Sequence, residues 1–186
     1  MKNFLITGGA GFVGSHLAEE LLKKGNSVTI LDNLITGKRS NLKKIEDKIN
    51  FIKGDIRDQK LLENICSHVD GIFHQAAKAS VPESFDKPKE YHDVNVNGTE
   101  NIFTQAKKYG IKVIYASSSS VYGNPIELPI NENANKNPIN PYAQTKLDKE
   151  RLAEKFSKKG LKVIGMRYFN IFWERQAKEY AGVVTL

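Results

Sequence analysis

Two side chains that could share a proton, Tyr142 and Lys146, lie four residues apart directly after Pro141. Proline is favoured in the first turn of a helix, and residues four apart occupy one helical face. An ammonium group beside a phenol favours the phenolate, which then acts as a base. A core tyrosine beside a solvated lysine produces the same spacing, so the pair alone leaves both interpretations open.

A run of four serines, residues 117–120, ends an apolar, β-rich segment. Hydroxyl groups at the carboxyl end of a parallel strand lie where ligands bind in such sheets. A serine at this place can donate a hydrogen bond to a reacting oxygen and relay its proton to a neighbouring tyrosine. The spacing does not indicate which serine would react, and a polar strand exit also explains the run.

Three glycines, Gly8, Gly11 and Gly14, follow the first apolar run and precede a helical pattern. A nucleotide-binding turn needs a glycine for positive φ, another for backbone contact with a phosphate, and a third for close approach of helix to strand. The pyrophosphate then lies on the helix N-terminus. The glycines therefore predict a dinucleotide site.

An acidic residue in the right position strengthens this prediction. Asp32 ends the second apolar run, 18 residues after Gly14. A carboxylate there accepts hydrogen bonds from both ribose hydroxyls and repels a 2′-phosphate, which favours NAD over NADP. Lys38 and Arg39 follow closely and could bind a 2′-phosphate, so NADP remains a possible cofactor. Asp55 comes after the third apolar run, where an adenine-contacting loop belongs.

These groups need a scaffold that brings strand ends together. Six apolar runs alternate with helical patterns over residues 12–24, 58–66, 89–109 and 141–159. Strands that are apolar on nearly every residue are typical of a parallel sheet covered on both faces. We therefore predict an α/β fold with a doubly wound parallel sheet of Rossmann type, and a functional loop over residues 123–141.

Composition narrows the functional classes. Among 186 residues, 28 lysines and arginines stand against 21 acidic residues, giving a net charge of +7. The basic pairs fall late in helical patterns, which favours solvated helix ends over a nucleic-acid surface. No apolar run approaches the length of a membrane span. The single cysteine, Cys66, excludes an internal disulfide, and no spacing suits a metal site, so we expect a cytoplasmic protein.

Ordered motifs along almost the whole chain resemble the extended short-chain dehydrogenase/reductases. Within them the chain is similar to the NAD-dependent epimerase/dehydratase family, and especially to its UDP-glucose and UDP-N-acetylglucosamine 4-epimerase branch. The motifs are TGGAGFVGSHLAEEL (7–21), LDNLITGKRSNL (31–42), GDIRD (54–58), HQAAKASVPES (74–84), NVNGT (95–99), SSSSVYG (117–123), PYAQTK (141–146) and RYFNIF (167–172).

The resemblance assigns roles to individual residues. It implies a catalytic set of Ser118, Tyr142 and Lys146. The residues it implies for NAD, besides Tyr142 and Lys146, are Gly8, Gly11, Phe12, Val13, Gly14, Asp32, Asn33, Asp55, Ile56, Ala76, Ala77, Asn95 and Tyr168. Those it implies for the sugar nucleotide, besides Ser118 and Tyr142, are Ser80, Ser119 and Asn170.

The reaction that the resemblance implies is inversion of C4 in a UDP-hexose or UDP-N-acetylhexosamine through a transient 4-keto sugar. Dehydratases and UDP-glucuronate decarboxylases resemble this chain but carry an acid directly before VYG, where Ser120 stands. UDP-glucuronate 4-epimerase, dehydratase and dehydrogenase activities, and a non-catalytic NAD-binding module, remain as alternatives.

The resemblance also bears on domain organisation. We expect residues 1–172 to form the NAD-binding domain and residues 173–186 to begin a substrate-binding domain that is mostly absent. Trp173 stands where the family usually has glycine. A homodimer through the helices at 89–109 and 141–159 is implied by resemblance only.

Overall fold

A sheet of six parallel strands forms the centre of the computed structural model, which describes residues 1–176. In chain order the strands are β1 (Asn3–Thr7), β2 (Ser27–Asp32), β3 (Asn50–Lys53), β4 (Gly71–His74), β5 (Lys112–Ser118) and β6 (Val163–Tyr168). They lie in the order β3-β2-β1-β4-β5-β6. The predicted doubly wound sheet and all six predicted strands are confirmed.

Helices connect the strands and cover both faces of the sheet. The α-helices are α1 (Phe12–Lys23), α2 (Gln59–Cys66), α3 (Val81–Asp86), α4 (Pro88–His92), α5 (Gly98–Lys108) and α6 (Pro141–Ser157). A π-helical turn over Asp93–Asn97 joins α4 to α5, so the predicted helix over 89–109 is one continuous helical stretch. The four predicted helices are therefore present, with ends that differ by one or two residues.

Apolar side chains on both faces explain why the strands are buried. Leu5 and Ile6 are adjacent on β1 and point to opposite sides, yet both are fully buried. Leu5 belongs to a cluster centred on Phe103 of α5, whereas Ile6 packs with Ala18 of α1 and its neighbours. A strand buried in this way requires helices on both sides, as the parallel pattern predicts.

Three short helical elements were not predicted from the sequence. Arg39–Lys48 and Ser119–Tyr122 form 3₁₀ helices, and Val81–Asp86 forms the short helix α3. Only Leu42 and Ile45 of the first are buried, and such a short apolar stripe gives little periodic signal. The segment between residues 123 and 140 contains no helix or strand, which confirms the predicted loop.

The expected start of a second domain over residues 173–186 lies, from residue 177 onward, outside the described residues. Within residues 1–176 no helix has the length and hydropathy needed to cross a membrane.

Phe103→Ala tests the packing of the larger core cluster. The ring is fully buried and meets Tyr115 and Phe156 edge-on, at centroid distances of 5.6 and 5.7 Å. We expect a loss of about 3–5 kcal/mol in the free energy of unfolding, measured by urea denaturation. Phe85→Ala is the control, because that ring is 60% exposed and its loss should cost less than about 0.5 kcal/mol. Equal losses for the two variants would contradict this assignment of the core.

Candidate active site

A cavity of about 990 Å³ lies at the carboxyl ends of the strands. The strand order reverses between β1 and β4, which is where open parallel sheets form a ligand crevice. Every residue predicted for the site lines this cavity except Asp55 and Asn95. The sequence motifs therefore converge on one place, although they come from segments far apart in the chain.

The glycine turn between β1 and α1 is shaped by close backbone contacts. Gly8 has φ +69°, and a Cβ there would lie 2.7 Å from the Ala76 nitrogen. A Cβ on Gly14 would lie 2.3 Å from the Gly8 carbonyl oxygen. No side chain in the described part of the chain caps the N-terminus of α1. Its first amides are therefore available for an anion such as a pyrophosphate.

Asp32 ends β2 with its carboxylate turned towards the glycine turn. One oxygen accepts a hydrogen bond from the Ala10 amide at 2.9 Å, and the other accepts one from the Leu34 amide at 2.8 Å. Burial raises the pKa of this carboxyl, although both amides favour its charged form. Each oxygen retains a lone pair for a hydroxyl donor. Gly37 makes room, because a Cβ there would lie 2.8 Å from both oxygens.

Arg39, a candidate to bind the 2′-phosphate of NADP, contacts other residues instead. Its guanidinium donates to Glu46 at 3.0 and 2.7 Å and stacks 4.0 Å from the centroid of the Phe51 ring. Neither Lys38 nor Arg39 lines the cavity. The cations following Asp32 therefore do not form a pocket for a 2′-phosphate in this structure.

Asp55 lies beside the cavity and does not line it. Arg57 donates two hydrogen bonds to its oxygens, from Nε and Nη2, both at 2.9 Å, and the Asn33 side-chain amide adds one at 3.0 Å. The bonds from Arg57 lower the pKa of Asp55 to about 2. Its neighbours Gly54 and Ile56 do line the cavity. The predicted adenine contact of the Asp55 side chain thus stays a prediction.

The structure distinguishes the four serines that the sequence left equivalent. The Ser117 hydroxyl donates to Glu150 at 2.6 Å, and the buried Ser120 hydroxyl has no hydrogen-bond partner among residues 1–176. Ser117, Ser118 and Ser119 all line the cavity, and the Ser118 oxygen accepts a bond from the Ser120 amide at 3.1 Å. Ser118 and Ser119 therefore both retain a hydroxyl proton for a ligand, and the choice of Ser118 as the catalytic serine stays a prediction from the resemblance.

Tyr142 and Lys146 share one face of α6, as their spacing predicts. Asn140 caps this helix by accepting the Ala143 amide at 2.8 Å, and Pro141 occupies its first turn. The Lys146 ammonium donates to the Ala116 carbonyl at 3.2 Å and lies 5.4 Å from the Tyr142 ring centroid. The ammonium is thus fixed between β5 and the tyrosine that it would polarise.

A buried chain of hydrogen bonds links β1, β4 and the helices behind the cavity. The Ala76 amide donates to the Thr7 hydroxyl oxygen, and that hydroxyl lies 2.7 Å from His74 Nδ1. His74 Nε2 lies 2.8 Å from the hydroxyl of Thr99, which donates to the Asn95 carbonyl at 2.6 Å. Because the Thr99 proton is already used, Nε2 of His74 must carry hydrogen and Nδ1 must accept.

Asn95 extends this chain to α6 and does not line the cavity itself. Its side chain accepts the Lys78 amide at 2.8 Å and donates to the Lys78 carbonyl at 3.0 Å. It also donates to the Thr145 hydroxyl at 3.0 Å, and Thr145 donates to the Tyr142 carbonyl at 2.7 Å. The predicted cofactor residue Asn95 therefore fixes the backbone of the cavity wall and of α6.

Burial changes the pKa values of two basic side chains behind the site. Burial lowers the pKa of His74 well below its usual value, and the nearby Lys149 and Lys146 charges act in the same direction. Burial likewise lowers the pKa of Lys149, followed by the effect of Lys146. The Lys149 amine has no hydrogen-bond partner within the described residues. Of these three basic side chains, Lys146 is the one that lines the cavity.

Several lining residues were not anticipated. Lys78 forms ion pairs with Glu83 at 3.0 Å and Glu90 at 2.8 Å, and all three line one wall. The predicted Ser80 begins α3 as its cap, accepting the Glu83 amide at 3.3 Å. Gln75 contacts Tyr168, whose pKa burial raises. Gln75 and Lys78 lie within the HQAAKASVPES motif, so that motif was the available signal for them.

The protonation of His74 can be tested directly. The ring should be in its neutral Nε2–H form at pH 6.5, where an ordinary histidine is half protonated. The ¹⁵N chemical shifts of the imidazole would report this, with His74→Gln assigning the signals. The unfolded histidine binds a proton near pH 6.5 whereas the folded one does not, so stability should fall as the pH drops below about 6.5, by up to about 1.4 kcal/mol per unit. A His74 signal that titrates near pH 6.5 would contradict the hydrogen-bond chain.

Comparison with known proteins identifies the family. The profile of the NAD dependent epimerase/dehydratase family matches residues 4–186. A putative UDP-glucose 4-epimerase of Methanocaldococcus jannaschii is 41% identical over 98% of this chain and 60% of its own length. A UDP-N-acetyl-alpha-D-glucosaminuronate decarboxylase of Bacillus cytotoxicus is 40% identical over 98% of this chain and 59% of its own.

A solved structure agrees with the fold. The UDP-glucose 4-epimerase of Brucella ovis, in complex with NAD, superimposes with a TM-score of 0.85 and 38% identity, over 91% of this chain and 52% of that one. The chain thus spans between 52% and 60% of the lengths of these three proteins. On the family profile and these identities, the chain belongs to the NAD dependent epimerase/dehydratase family.

Proposed function

We propose that this chain supplies the NAD site and the catalytic residues of a nucleotide-sugar 4-epimerase, which inverts C4 of a UDP-hexose or UDP-N-acetylhexosamine. The observation that carries the proposal is that Ser118, Tyr142 and Lys146 line the same cavity as the glycine turn and Asp32. A dinucleotide lying across the cavity from Asp32 would bring its far end to the tyrosine. The names of the Methanocaldococcus jannaschii and Brucella ovis relatives support the same activity.

The residues present fit NAD. The uncapped N-terminus of α1 and the glycine turn suit a pyrophosphate, with Phe12 and Val13 contributing amides. Asp32, with one free lone pair on each oxygen, suits the adenosine ribose. The remaining residues that we propose to hold NAD are Gly8, Gly11, Gly14, Asn33, Asp55, Ile56, Ala76, Ala77, Asn95, Tyr142, Lys146 and Tyr168.

The side chains at the other end of the cavity can move a proton on the sugar. When bound, NAD⁺ supplies a hydride acceptor and, once reduced, a hydride donor. Tyr142, polarised by the Lys146 ammonium at 5.4 Å from its ring, takes the proton of the sugar 4-hydroxyl and later returns it. Ser118 donates a hydrogen bond to the same oxygen, while Ser80, Ser119 and Asn170 hold the rest of the sugar nucleotide.

A decarboxylase is the second candidate function, because the Bacillus cytotoxicus relative is nearly as similar as the epimerase relative. Decarboxylases that resemble this chain carry an acidic residue directly before VYG. Here that residue is Ser120, whose buried hydroxyl cannot serve as the missing carboxylate. This position favours the epimerase.

We also propose a domain division, an oligomeric state and a cellular location for this chain. Residues 1–172 would form the NAD-binding domain, with residues 173–186 beginning a substrate-binding domain. A homodimer would form through α6 and the helical stretch from Pro88 to Lys108. A reducing, cytoplasmic location is supported by the single Cys66, which is buried and free.

The cofactor part of the proposal is tested with Asp32→Asn. Hydrogen bonds to a charged group contribute about 1.5–3 kcal/mol each, so NADH binding should weaken about 10- to 100-fold or more, while NADPH binding should not weaken. Titration of NADH fluorescence measures both. Asp47→Asn, an exposed aspartate on the neighbouring 3₁₀ helix, is the control and should bind as the parent chain does. Unchanged NADH affinity in Asp32→Asn would contradict the assignment.

The reaction is tested by proton NMR of UDP-glucose, UDP-galactose, their N-acetylhexosamine counterparts and UDP-glucuronate, each with NAD⁺ and this chain or a longer chain that contains it. We expect interconversion at C4 of a neutral sugar. Tyr142→Phe should lower the rate at least about 100-fold, since general acid–base catalysis contributes 10²–10⁴-fold. Tyr109→Phe, at a partly exposed tyrosine away from the cavity, should not change it.

Two outcomes would contradict the epimerase. One is loss of carbon dioxide from a UDP-uronate, which would favour the decarboxylase. The other is the absence of any sugar turnover by either chain despite NADH binding, which would favour a non-catalytic NAD-binding module.

A further inference from the structure

The Ser117 hydroxyl marks a polar cluster directly behind the cavity wall. Its acceptor, Glu150, lies one helical turn after Lys146 on α6, so the helix face that carries Tyr142 and Lys146 continues into this carboxylate. Arg167 of β6 meets Glu150 with two parallel bonds, Nε to Oε1 at 2.8 Å and Nη2 to Oε2 at 2.9 Å. The pair is mostly buried, with side chains 13% and 18% exposed for Glu150 and Arg167.

Glu150 and Arg167 bind both ends of the segment over residues 117–122, which we call the serine turn. Glu150 accepts from Ser117 at its start, and Arg167 Nη1 donates to the Tyr122 hydroxyl at its end, at 2.6 Å. Ser118, which lines the cavity, lies between these two anchors. Arg167 also directly precedes Tyr168, another lining residue, so the pair is bonded to three segments of the wall.

The loop over residues 124–140 is fastened at the same point. Arg167 Nη1 donates to the Glu132 carbonyl at 2.7 Å, and Lys136 lies 3.8 Å from a Glu150 oxygen. Ile130 and Ala134 of the loop pack on a small cluster that includes Tyr122. The ion pair of Glu150 and Arg167 therefore connects the loop, the serine turn and α6.

Stability alone does not account for this arrangement. Although burial raises the pKa of Glu150, the hydrogen bonds from Arg167 and Ser117 outweigh it and keep the pKa below its usual value. A buried ion pair of this kind is often replaceable by apolar residues without loss of stability. What apolar residues cannot replace is the directed set of bonds to Ser117, Tyr122 and Glu132.

We propose that Glu150 and Arg167 are positioning residues, which set Ser118 against Tyr142 and Lys146 and fasten the 124–140 loop to the same point. The catalytic half of this statement rests on the proposed function. Release of the pair would displace Ser118 relative to the tyrosine while leaving the glycine turn and Asp32 in place. Misplacement of a catalytic group by about 1 Å can cost about 100-fold in rate.

The test uses Glu150→Gln and the double variant Glu150→Leu with Arg167→Met, which removes the charges and keeps apolar volume. Glu154→Gln is the matched control, because Glu154 lies one turn further along α6 and forms an exposed pair with Lys158. Three quantities are measured: kcat and KM for the UDP-sugar, NADH affinity, and the rate of trypsin cleavage after Lys136.

We expect both Glu150 variants to lose about 10- to 100-fold in kcat, with KM and NADH affinity unchanged. Cleavage after Lys136 should accelerate about 10-fold or more, because the loop opens locally. The double variant should show this with NADH affinity unchanged even where its melting temperature falls, because the buried Ser117 and Tyr122 hydroxyls lose their partners. Glu154→Gln should match the parent chain throughout.

Two results would overturn the proposal. One is a Glu150→Gln variant with parental kcat or parental cleavage. The other is a double variant in which kcat, NADH affinity and melting temperature fall together, since that is the behaviour of a structural pair. If neither this chain nor a longer chain that contains it turns over a UDP-sugar, the proposed function fails, and the cleavage rate still decides whether the pair fastens the loop.

Discussion

The close approach of α1 to β1 at Gly14 is the constraint on which the rest of the site depends. A single methyl group at this position would collide with the Gly8 carbonyl and the Gly9 Cα, at 2.3 and 2.7 Å. The contact lets the helix start close to the end of β1, where its first residues, Phe12, Val13 and Gly14, line the cavity. The positive φ of Gly8 then lets the chain pass beside Ala76, so the ends of β1 and β4 stay adjacent across the crevice.

Hydrogen bonds behind the crevice connect the glycine turn to the helix that carries Tyr142. The hydrogen-bond chain that begins at Thr7 passes through the neutral His74 and reaches Asn95, which braces α6 through Thr145. Every donor and acceptor in this chain has a partner, which is what a buried polar network requires. The position of Tyr142 on its helix is therefore set from the same strand edge as the glycine turn.

The sequence was sufficient for the fold and for most of the site, because the signals were local. Runs that are apolar at nearly every residue predicted the strands. Tyr142 and Lys146, four residues apart, are neighbours on any helix. What it could not supply depended on contacts between distant segments. Nothing in the run 117–120 indicates that the hydroxyl of Ser117, among the four serines, donates to Glu150. Likewise, the hydrogen bond of Arg39 to Glu46 and its stacking on Phe51 depend on the 3₁₀ helix, which the sequence did not predict.

The central claim is that one cavity holds the dinucleotide at one end and the catalytic side chains at the other. A crystal structure of this chain with NAD⁺ tests it most directly. The account predicts the adenosine ribose on Asp32, the pyrophosphate on the glycine turn, and the nicotinamide ring beside Tyr142 and Lys146. A bound dinucleotide whose nicotinamide lies away from Tyr142, or whose pyrophosphate does not contact the α1 amides, would contradict it.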